Sequence, residues 1–383
     1  MAVMAETPET GKNAPPPGSH VWRARAPFRL ESGAVLPALA LAYRTWGEPT
    51  RNGENTVLVF HALTGDQYAW GSHPLTGERG WWDFVIGPGR ILDPERDFIV
   101  CINCLGGVMG STGPSSVDPV SGRVYGPDFP QVTIRDMVRA QLMLLDDLGI
   151  TRLRLAVGGS MGGMAALTLL QEARERVAAV AALAVGARHH AQQIALHALQ
   201  RRAITQDPAW RAGRYREQGV APEAGLALAR MIAHLSYRAP GELQQRFGAR
   251  IRKENASRIG EPPLYEVESY LAHHGHKLVR RFDANSYLLI TQAMDRYDLA
   301  GPDQSLAAAL TPAAGKRVFL ASFETDWLYP KAEIDELETA LREAGAVVTR
   351  IHADTPQGHD SFLLPHAAWM EPFAAFVTAL RQA

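Results

Sequence analysis

The chain has 383 residues, a formal net charge of −1, 46% hydrophobic residues and 21% charged residues. This balance is ordinary for a folded globular protein, and the lack of a basic excess argues against binding to nucleic acid or to a membrane surface. The 2 cysteines are too few for a disulfide-built secreted scaffold. No apolar run approaches the roughly 18 residues that a membrane span needs.

The N-terminal segment is predicted to be a disordered leader covering residues 1–19. It is rich in proline, glycine and polar residues, and such a composition buries too little apolar surface to fold. It also lacks the apolar stretch of a secretory signal, so the cytoplasm is the expected compartment.

The first half of the chain alternates between short apolar runs and an amphipathic helix. Strands are predicted over residues 39–46, 56–60 and 98–103. Continuous apolar runs of this kind are typical of strands buried on both faces of a parallel sheet. Residues 133–148 have apolar side chains at helical spacing, with Asp136 in the first turn and Gly149 placed to end the helix.

The second half continues this alternation around one long helical interruption. Strands are predicted over residues 153–157, 177–185, 317–321 and 347–352, and helices over residues 161–172, 331–344 and 367–380. Alternating strands and helices indicate a mostly parallel α/β sheet. We therefore predict an α/β core formed by residues 20–187 and 301–383, with residues 188–300 inserted as a helical lid.

A serine in a glycine-rich turn is the strongest chemical signal. The turn fits G-x-S-x-G and lies between a predicted strand and a predicted helix, where the α/β-hydrolase fold places its nucleophile. Because the chain turns sharply there, the flanking positions must lack side chains. The sequence therefore predicts an α/β-hydrolase fold with Ser160 as nucleophile, in the string Gly158-Gly159-Ser160-Met161-Gly162-Gly163.

A serine hydroxyl needs a base, and this fold supplies its residues in the chain order serine, acid, histidine. His359 follows the last predicted strand and precedes the last predicted helix, so it is the predicted base. Asp326 lies on the loop after the preceding strand and is the predicted acid, although Glu324 competes by residue type. The backbone N–H groups of Leu63, after an early strand, and of Met161 are the predicted oxyanion donors.

Several separate strings together resemble the homoserine O-acetyltransferase family, whose members are acyl-CoA-dependent transferases of methionine synthesis with the α/β-hydrolase fold. The resemblance covers the chain from about residue 39 onward. The glycine-rich turn around Ser160 is common to many hydrolases, whereas the strings at 110–116 and 326–330 are much more specific to this family. The matching strings are residues 43–47, 61–65, 105–107, 110–116, 133–138, 158–163, 326–330 and 358–363.

This resemblance implies a two-step acyl transfer. Ser160 would accept the acetyl group of acetyl-CoA and pass it to an amino-acid hydroxyl, with His359 as base and without a metal or bound prosthetic group. The amino-acid-binding Arg and Asp of the family map to Arg230 and Asp360, whose charges suit an α-carboxylate and an α-ammonium. The resemblance also implies a homodimer formed through the lid helices.

The acyl donor and the acceptor are less constrained than the mechanism. The succinyl-using branch of the family tends to carry an Arg two residues beyond the catalytic acid. In this chain that acid is predicted to be Asp326, and the position two residues beyond it is Leu328. A buried succinyl carboxylate would need a cationic partner, so Leu328 favours acetyl. Serine and homoserine differ by one methylene, so homoserine O-succinyltransferase and serine O-acyltransferase remain alternatives, as does an esterase-type hydrolase.

Two patterns that look like ligand sets are predicted to be structural. Cys101 and Cys104 fit C-x-x-C, but residues three apart in a strand point to opposite faces, so we expect buried thiols. The histidine-rich segments at 189–190 and 273–276 have no carboxylate at ligand spacing, so we expect solvated or packing side chains and no metal site.

Overall fold

The computed structural model describes residues 11–51, 53–253 and 263–382. Twelve strands lie in this part of the chain. They are β1 His20–Arg23, β2 Phe28–Arg29, β3 Val35–Leu36, β4 Ala40–Trp46, β5 Thr56–Phe60, β6 Phe98–Ile102, β7 Leu155–Gly159, β8 Ala179–Leu183, β9 Ile251–Lys253, β10 Leu264–Tyr265, β11 Arg317–Phe323 and β12 Val347–Ala353.

An eight-stranded sheet forms the centre of the molecule, in the order β1-β4-β6-β5-β7-β8-β11-β12. The neighbours from β6 to β12 run parallel, whereas β1 and β4 add antiparallel pairs at one edge. The predicted mostly parallel α/β sheet is therefore confirmed. The edge strand β1 was not predicted, because its four residues alternate too briefly to stand out.

The central strands are buried on both faces, as their apolar runs predict. Every residue of β5, β6, β7 and β8 is buried. Along β5, Leu58 and Phe60 join one apolar layer, while Val57 and Val59 join the layer on the opposite face. Helices cover both layers, and the carboxyl ends of the strands are left to carry loops.

Ten α-helices surround the sheet within the described residues. They are α1 Ile134–Asp147, α2 Met161–Glu172, α3 Ala191–Thr205, α4 Glu223–Tyr237, α5 Pro240–Phe247, α6 Glu266–Val279, α7 Ala284–Asp295, α8 Leu306–Ala309, α9 Lys331–Glu343 and α10 Ala367–Arg381. Helix α1 begins as predicted, because Thr133 and Asp136 form a reciprocal capping box. Gly149 follows it at φ +72°, a left-handed conformation that glycine adopts freely.

The segment between β8 and β11 is helical, where the lid is predicted. Helix α4 lies between α3 and α6, and the short hairpin β9–β10 accompanies them. Residues 254–262 of the predicted lid lie outside the described residues. Among the helices that the structure describes, none is long and apolar enough to cross a bilayer.

Residues 11–19 of the predicted leader contact the core in this structure, and residues 1–10 lie outside the described part of the chain. Asn13 is buried and donates to the Ser116 hydroxyl at 3.1 Å. The Tyr68 hydroxyl donates to the carbonyl of Pro17 at 2.5 Å, and Gln67 donates to the Ser19 hydroxyl at 2.8 Å. Polar side chains of the core thus hold this segment through hydrogen bonds to its side chains and to its backbone.

Candidate active site

Ser160 lies in a strained turn between β7 and α2. It is the residue immediately before the helix and adopts φ +55° and ψ −124°, a conformation that a non-glycine residue rarely takes. Its backbone N–H donates to the Leu183 carbonyl at 2.9 Å, which ties the turn to β8. The side chain is 7% exposed, at the carboxyl end of the central strands. This is the geometry of a nucleophile elbow.

The glycines around Ser160 are required by close approach of the chain to itself. A Cβ on Gly158 would lie 2.5 Å from the Gly162 carbonyl carbon, and a Cβ on Gly162 would lie 2.4 Å from the Phe60 carbonyl oxygen. A Cβ on Gly159 would lie 2.4 Å from the Phe362 ring. The elbow therefore packs directly against β5 and against the loop that carries His359.

His359 and Asp326 form a buried pair. The His359 Nδ1 and Asp326 Oδ2 atoms are 2.9 Å apart, and both side chains are almost fully buried. The other oxygen of Asp326 accepts the backbone N–H groups of Leu328 and Tyr329 at 2.9 and 3.0 Å. This arrangement fixes the carboxylate and makes Nδ1 the protonated nitrogen, so that Nε2 is free to act as a base.

The competing carboxylate, Glu324, lies elsewhere. It pairs with His352 at 2.5 Å and its side chain is 60% exposed. Among the described residues the Ser160 hydroxyl has no hydrogen-bond partner. In this structure the acid–histidine contact is formed, whereas the serine–histidine hydrogen bond is not.

Aromatic rings surround the His359 imidazole. The Tyr329 ring stacks on it with centroids 5.2 Å apart and an angle of 25°. The Phe362 and Tyr237 rings lie at 5.6 and 5.7 Å. These contacts hold the imidazole plane and exclude water from it. Tyr237 was not identified from the sequence, although it follows Arg230 by seven residues and so lies on the same face of α4.

One predicted oxyanion donor, Met161, belongs to the elbow, and the other, Leu63, lies in the loop after β5. Met161 is the first residue of α2, so its N–H has no partner within the helix. Within the described residues, the Leu63 N–H donates to no protein group either. His61 holds the preceding backbone, since its ring contacts the Ala62 carbonyl at 2.8 Å and accepts the Cys104 N–H at 3.1 Å. Burial lowers the pKa of His61 and so favours the neutral ring that this pattern requires.

Arg230 and Asp360 line one cavity of about 240 Å³ beside the histidine loop. Arg230 projects from α4, donates to the Thr64 hydroxyl at 3.4 Å and lies over the Tyr237 ring. Asp360 follows His359 directly and lies 3.6 Å from Arg238. Burial raises the pKa of Asp360, although the neighbouring positive charges oppose this. The two predicted substrate-binding residues are thus brought together, next to the imidazole.

Leu328 is buried in the apolar core beneath the site. Its carbonyl accepts a hydrogen bond from Gln193 of α3 at 2.7 Å. Its neighbour Trp327 is 37% exposed and donates to the Arg238 carbonyl at 3.1 Å. The role of Leu328 in acyl selection stays a prediction.

Both predicted structural thiols are buried and free. Burial raises the pKa of Cys101 well above its usual range and that of Cys104 to about 12, so neither forms a thiolate at neutral pH.

His189, one of the predicted packing histidines, lies beside a carboxylate that the sequence spacing does not show. The fold brings Asp295 from α7 to within 2.6 Å of His197 and 3.4 Å of His189. The second oxygen of Asp295 pairs with Arg201 at 2.7 Å, and His189 contacts the Tyr329 hydroxyl at 2.6 Å. Each carboxylate oxygen already has a protein partner. Because 98 residues separate His197 from Asp295, no local spacing could have shown the contact.

Comparison with known proteins agrees with this geometry. A family model described as alpha/beta hydrolase fold matches residues 55–351. The homoserine O-acetyltransferase of Caulobacter vibrioides is 48% identical over 352 residues, which are 91% of this chain and 92% of that protein.

Two solved structures share the fold. A mutant of esterase E22 has a TM-score of 0.85 at 24% identity, covering 94% of this chain and 99% of that chain. The homoserine O-acetyltransferase of Bacillus anthracis has a TM-score of 0.83 at 24% identity, covering 95% and 96%. At this identity both likenesses show the fold alone, and they confirm the predicted α/β-hydrolase fold. The 48% identical relative, together with the family model, establishes that the chain belongs to the homoserine O-acetyltransferase family of α/β-hydrolase-fold proteins.

Proposed function

We propose that this chain transfers the acetyl group of acetyl-CoA to the hydroxyl of L-homoserine through an acetyl-Ser160 intermediate. The observation that carries the proposal is the cavity that places Arg230 and Asp360 beside the buried His359–Asp326 pair. A nucleophile elbow alone serves many hydrolases, but a cation and an anion in one small cavity suit a zwitterionic amino acid.

The first half-reaction acylates the enzyme. His359 Nε2 takes the Ser160 proton as the hydroxyl oxygen attacks the thioester carbon, and the Leu63 and Met161 N–H groups bind the oxyanion. The tetrahedral intermediate collapses, the carbon–sulfur bond breaks, and the imidazolium returns the proton to the leaving thiolate. Asp326 stabilises the imidazolium through Nδ1.

The second half-reaction transfers the acetyl group. Arg230 binds the α-carboxylate of homoserine and Asp360 its α-ammonium, which directs the side-chain hydroxyl toward Ser160. His359 removes the hydroxyl proton, the new ester forms, and the proton passes to the departing Ser160 oxygen. The chemistry uses acetyl-CoA as a co-substrate and calls for no metal or bound prosthetic group.

The buried site supports transfer over hydrolysis. Ser160 and His359 are 7% and 2% exposed, and lid residues such as Tyr237 pack over the imidazole. An acyl-enzyme that excludes water survives until the amino acid arrives. Leu328 is buried and apolar at the position where the succinyl-using branch tends to carry an Arg, which supports acetyl over succinyl. Homoserine O-succinyltransferase and serine O-acyltransferase remain the nearest alternatives.

A hydrolase is the second candidate, because the fold is also that of esterase E22. The charges of Arg230 and Asp360 argue against it, since a neutral ester has no use for either.

The family resemblance supports three further assignments. They are a place in methionine synthesis, a cytoplasmic location and a homodimer through the lid helices. Exposed apolar side chains on lid helices are consistent with such an interface, among them Leu199 of α3 and Leu228 and Leu235 of α4.

The experiment that tests the proposal measures thiol release from acetyl-CoA with and without L-homoserine. L-Serine and succinyl-CoA serve as alternative substrates, and Ser160→Ala serves as the inactive control. We expect fast release only with acetyl-CoA plus L-homoserine, and none from Ser160→Ala. Equal release without an amino acid would identify a hydrolase, and turnover by Ser160→Ala would rule out the covalent intermediate.

A further inference from the structure

The cavity that contains Arg230 and Asp360 has an excess of positive charge on its walls. Four cations line it, namely Arg230, Arg238, Lys277 and Arg281, against the single carboxylate of Asp360 among its lining residues. Two of these cations are neutralised at short range. Lys277 lies 2.7 Å from Glu78, and Arg238 pairs with Glu242 as well as with Asp360.

Arg281, which follows α6, is poorly neutralised by comparison. The one carboxylate within ion-pair distance among the described residues is Asp66, at 3.8 Å, and Asp66 also lies 3.3 Å from His73. In the same part of the chain the Arg281 guanidinium donates no hydrogen bond that meets normal geometry. Its five N–H donors are therefore available to a ligand in the cavity.

The Arg230 guanidinium is also poorly neutralised. Its hydrogen bond to Thr64 is long, at 3.4 Å, and no carboxylate of the described residues lies within ion-pair distance of it. Two poorly neutralised guanidiniums lining one small cavity repel each other. Burial lowers the pKa of Arg281, and the charge of Arg230 adds to this despite the opposing effect of Asp66. An anion in the cavity would relieve the repulsion.

We propose that Arg281 binds the α-carboxylate of the amino-acid acceptor jointly with Arg230. The inference rests on the proposed function, and it adds a second guanidinium to the site. A carboxylate offers two oxygens and about four acceptor positions, enough for both guanidiniums. Asp360 lines the same cavity and contacts Arg238 at 3.6 Å through one oxygen, and we assign it to the ammonium group.

The position of the cavity supports an amino acid over a phosphate group of acetyl-CoA as the source of the anion. The cavity lies against the histidine loop, through Asp360, where the acceptor hydroxyl has to arrive.

The test compares steady-state kinetics of Arg281→Met with those of Arg280→Met. Arg280 is the exposed neighbouring residue, so its substitution removes the same charge outside the cavity. For Arg281→Met we expect the KM for L-homoserine to rise by about 10- to 100-fold, as for loss of a charged hydrogen-bonding partner. The KM for acetyl-CoA and the single-turnover acylation of Ser160 should stay within about twofold of wild type, as should all constants of Arg280→Met.

Asp66→Asn separates ligand binding from a structural role of Arg281. It removes the carboxylate and leaves the guanidinium, so the proposal predicts a nearly unchanged KM for L-homoserine. If Arg281 serves only to pair with Asp66, both variants should show the same defect. Arg281→Lys, which keeps the charge but loses the planar fork, should recover part of the affinity and remains informative if Arg281→Met does not fold.

An unchanged KM for L-homoserine in folded Arg281→Met or Arg281→Lys would overturn this inference but not the proposed function. A rise confined to acetyl-CoA would also overturn it, because the anion would then be a phosphate. Absence of homoserine turnover in the wild-type enzyme would instead overturn the proposed function and this inference together.

Discussion

Two carboxylates two residues apart show how environment separates side chains of the same chemistry. Asp326 is almost fully buried, accepts two backbone N–H groups and contacts His359. Glu324 points outward to His352 and is mostly exposed. Only Asp326 is placed to stabilise the imidazolium of His359 in a buried site, where an uncompensated charge is costly.

Neutralising these two carboxylates should therefore have very different effects. We expect Asp326→Asn to lower kcat/KM by about 10³- to 10⁴-fold, because the His359 tautomer and the imidazolium both lose their partner. Glu324→Gln removes an exposed pair and should stay within about twofold of wild type. Thiol-release kinetics of both variants would measure this, and a large loss in Glu324→Gln would contradict the assignment of the acid.

At the scale of elements, the elbow depends on how closely β5, β7 and α2 approach each other. Gly162 lies in the first turn of α2, and its Cα faces the carbonyl at the end of β5. The approach brings the N-terminus of the helix and the loop after β5 to the same point. For this reason we expect the two predicted oxyanion donors, Leu63 and Met161, to lie close together.

A methyl group added at Gly162 should push α2 away from β5 and so disrupt the turn that carries Ser160. In Gly162→Ala the new Cβ would lie 2.4 Å from a backbone oxygen, which cannot rotate away. We expect a loss of about 1–3 kcal/mol in the free energy of unfolding, or more, and loss of activity. Urea denaturation would measure the first and thiol release the second.

Gly241 of α5 provides the matched control, because a Cβ there meets no atom within 4 Å. Gly241→Ala should leave activity intact and raise stability by about 0.4–1 kcal/mol. Equal behaviour of the two alanine variants would mean that the close approach is unimportant.

At the scale of the whole molecule, the lid is joined to the core through buried polar groups. His189 lies just before α3 and contacts Tyr329, whose ring stacks on His359. Arg230 of α4 reaches Thr64 of the core. The predicted lid therefore contributes side chains to the candidate active site, and we expect its stability and the geometry of that site to depend on each other.

Buried histidines make this assembly sensitive to acid. Burial is the main reason that the pKa of His189 falls to about 4, and burial followed by the charge of Arg230 lowers that of His234 to about 2. The folded state then binds fewer protons than the unfolded state below pH 6.5. Stability is fully present above about pH 6.5 and falls as the pH is lowered, by up to roughly 1.4 kcal/mol per pH unit for each histidine.

Urea unfolding between pH 7.5 and pH 5.0 would measure this slope. His189→Gln should reduce the slope, whereas His276→Gln, which changes an exposed residue of α6, should leave it unchanged. Equal slopes in wild type and His189→Gln would show that His189 does not contribute.

Local patterns predicted the central strands, the bounds of four helices of the α/β core (α1, α2, α9 and α10) and the glycine-rich turn at Ser160. Helix α2 covers residues 161–172 as predicted, and each central strand matches an apolar run to within a few residues. These features can be predicted because strand burial, helical spacing and the glycine-only turn each depend on residues that are neighbours in the sequence.

Tertiary structure alone decided which distant polar groups meet. It placed Asp295 beside His197, Arg281 in the cavity with Arg230, and residues 11–19 against the core. The roles of Arg230 and Asp360 came from family resemblance, not from their local sequence. Contacts between residues far apart in the chain depend on how whole elements pack, and no spacing within the sequence records that packing.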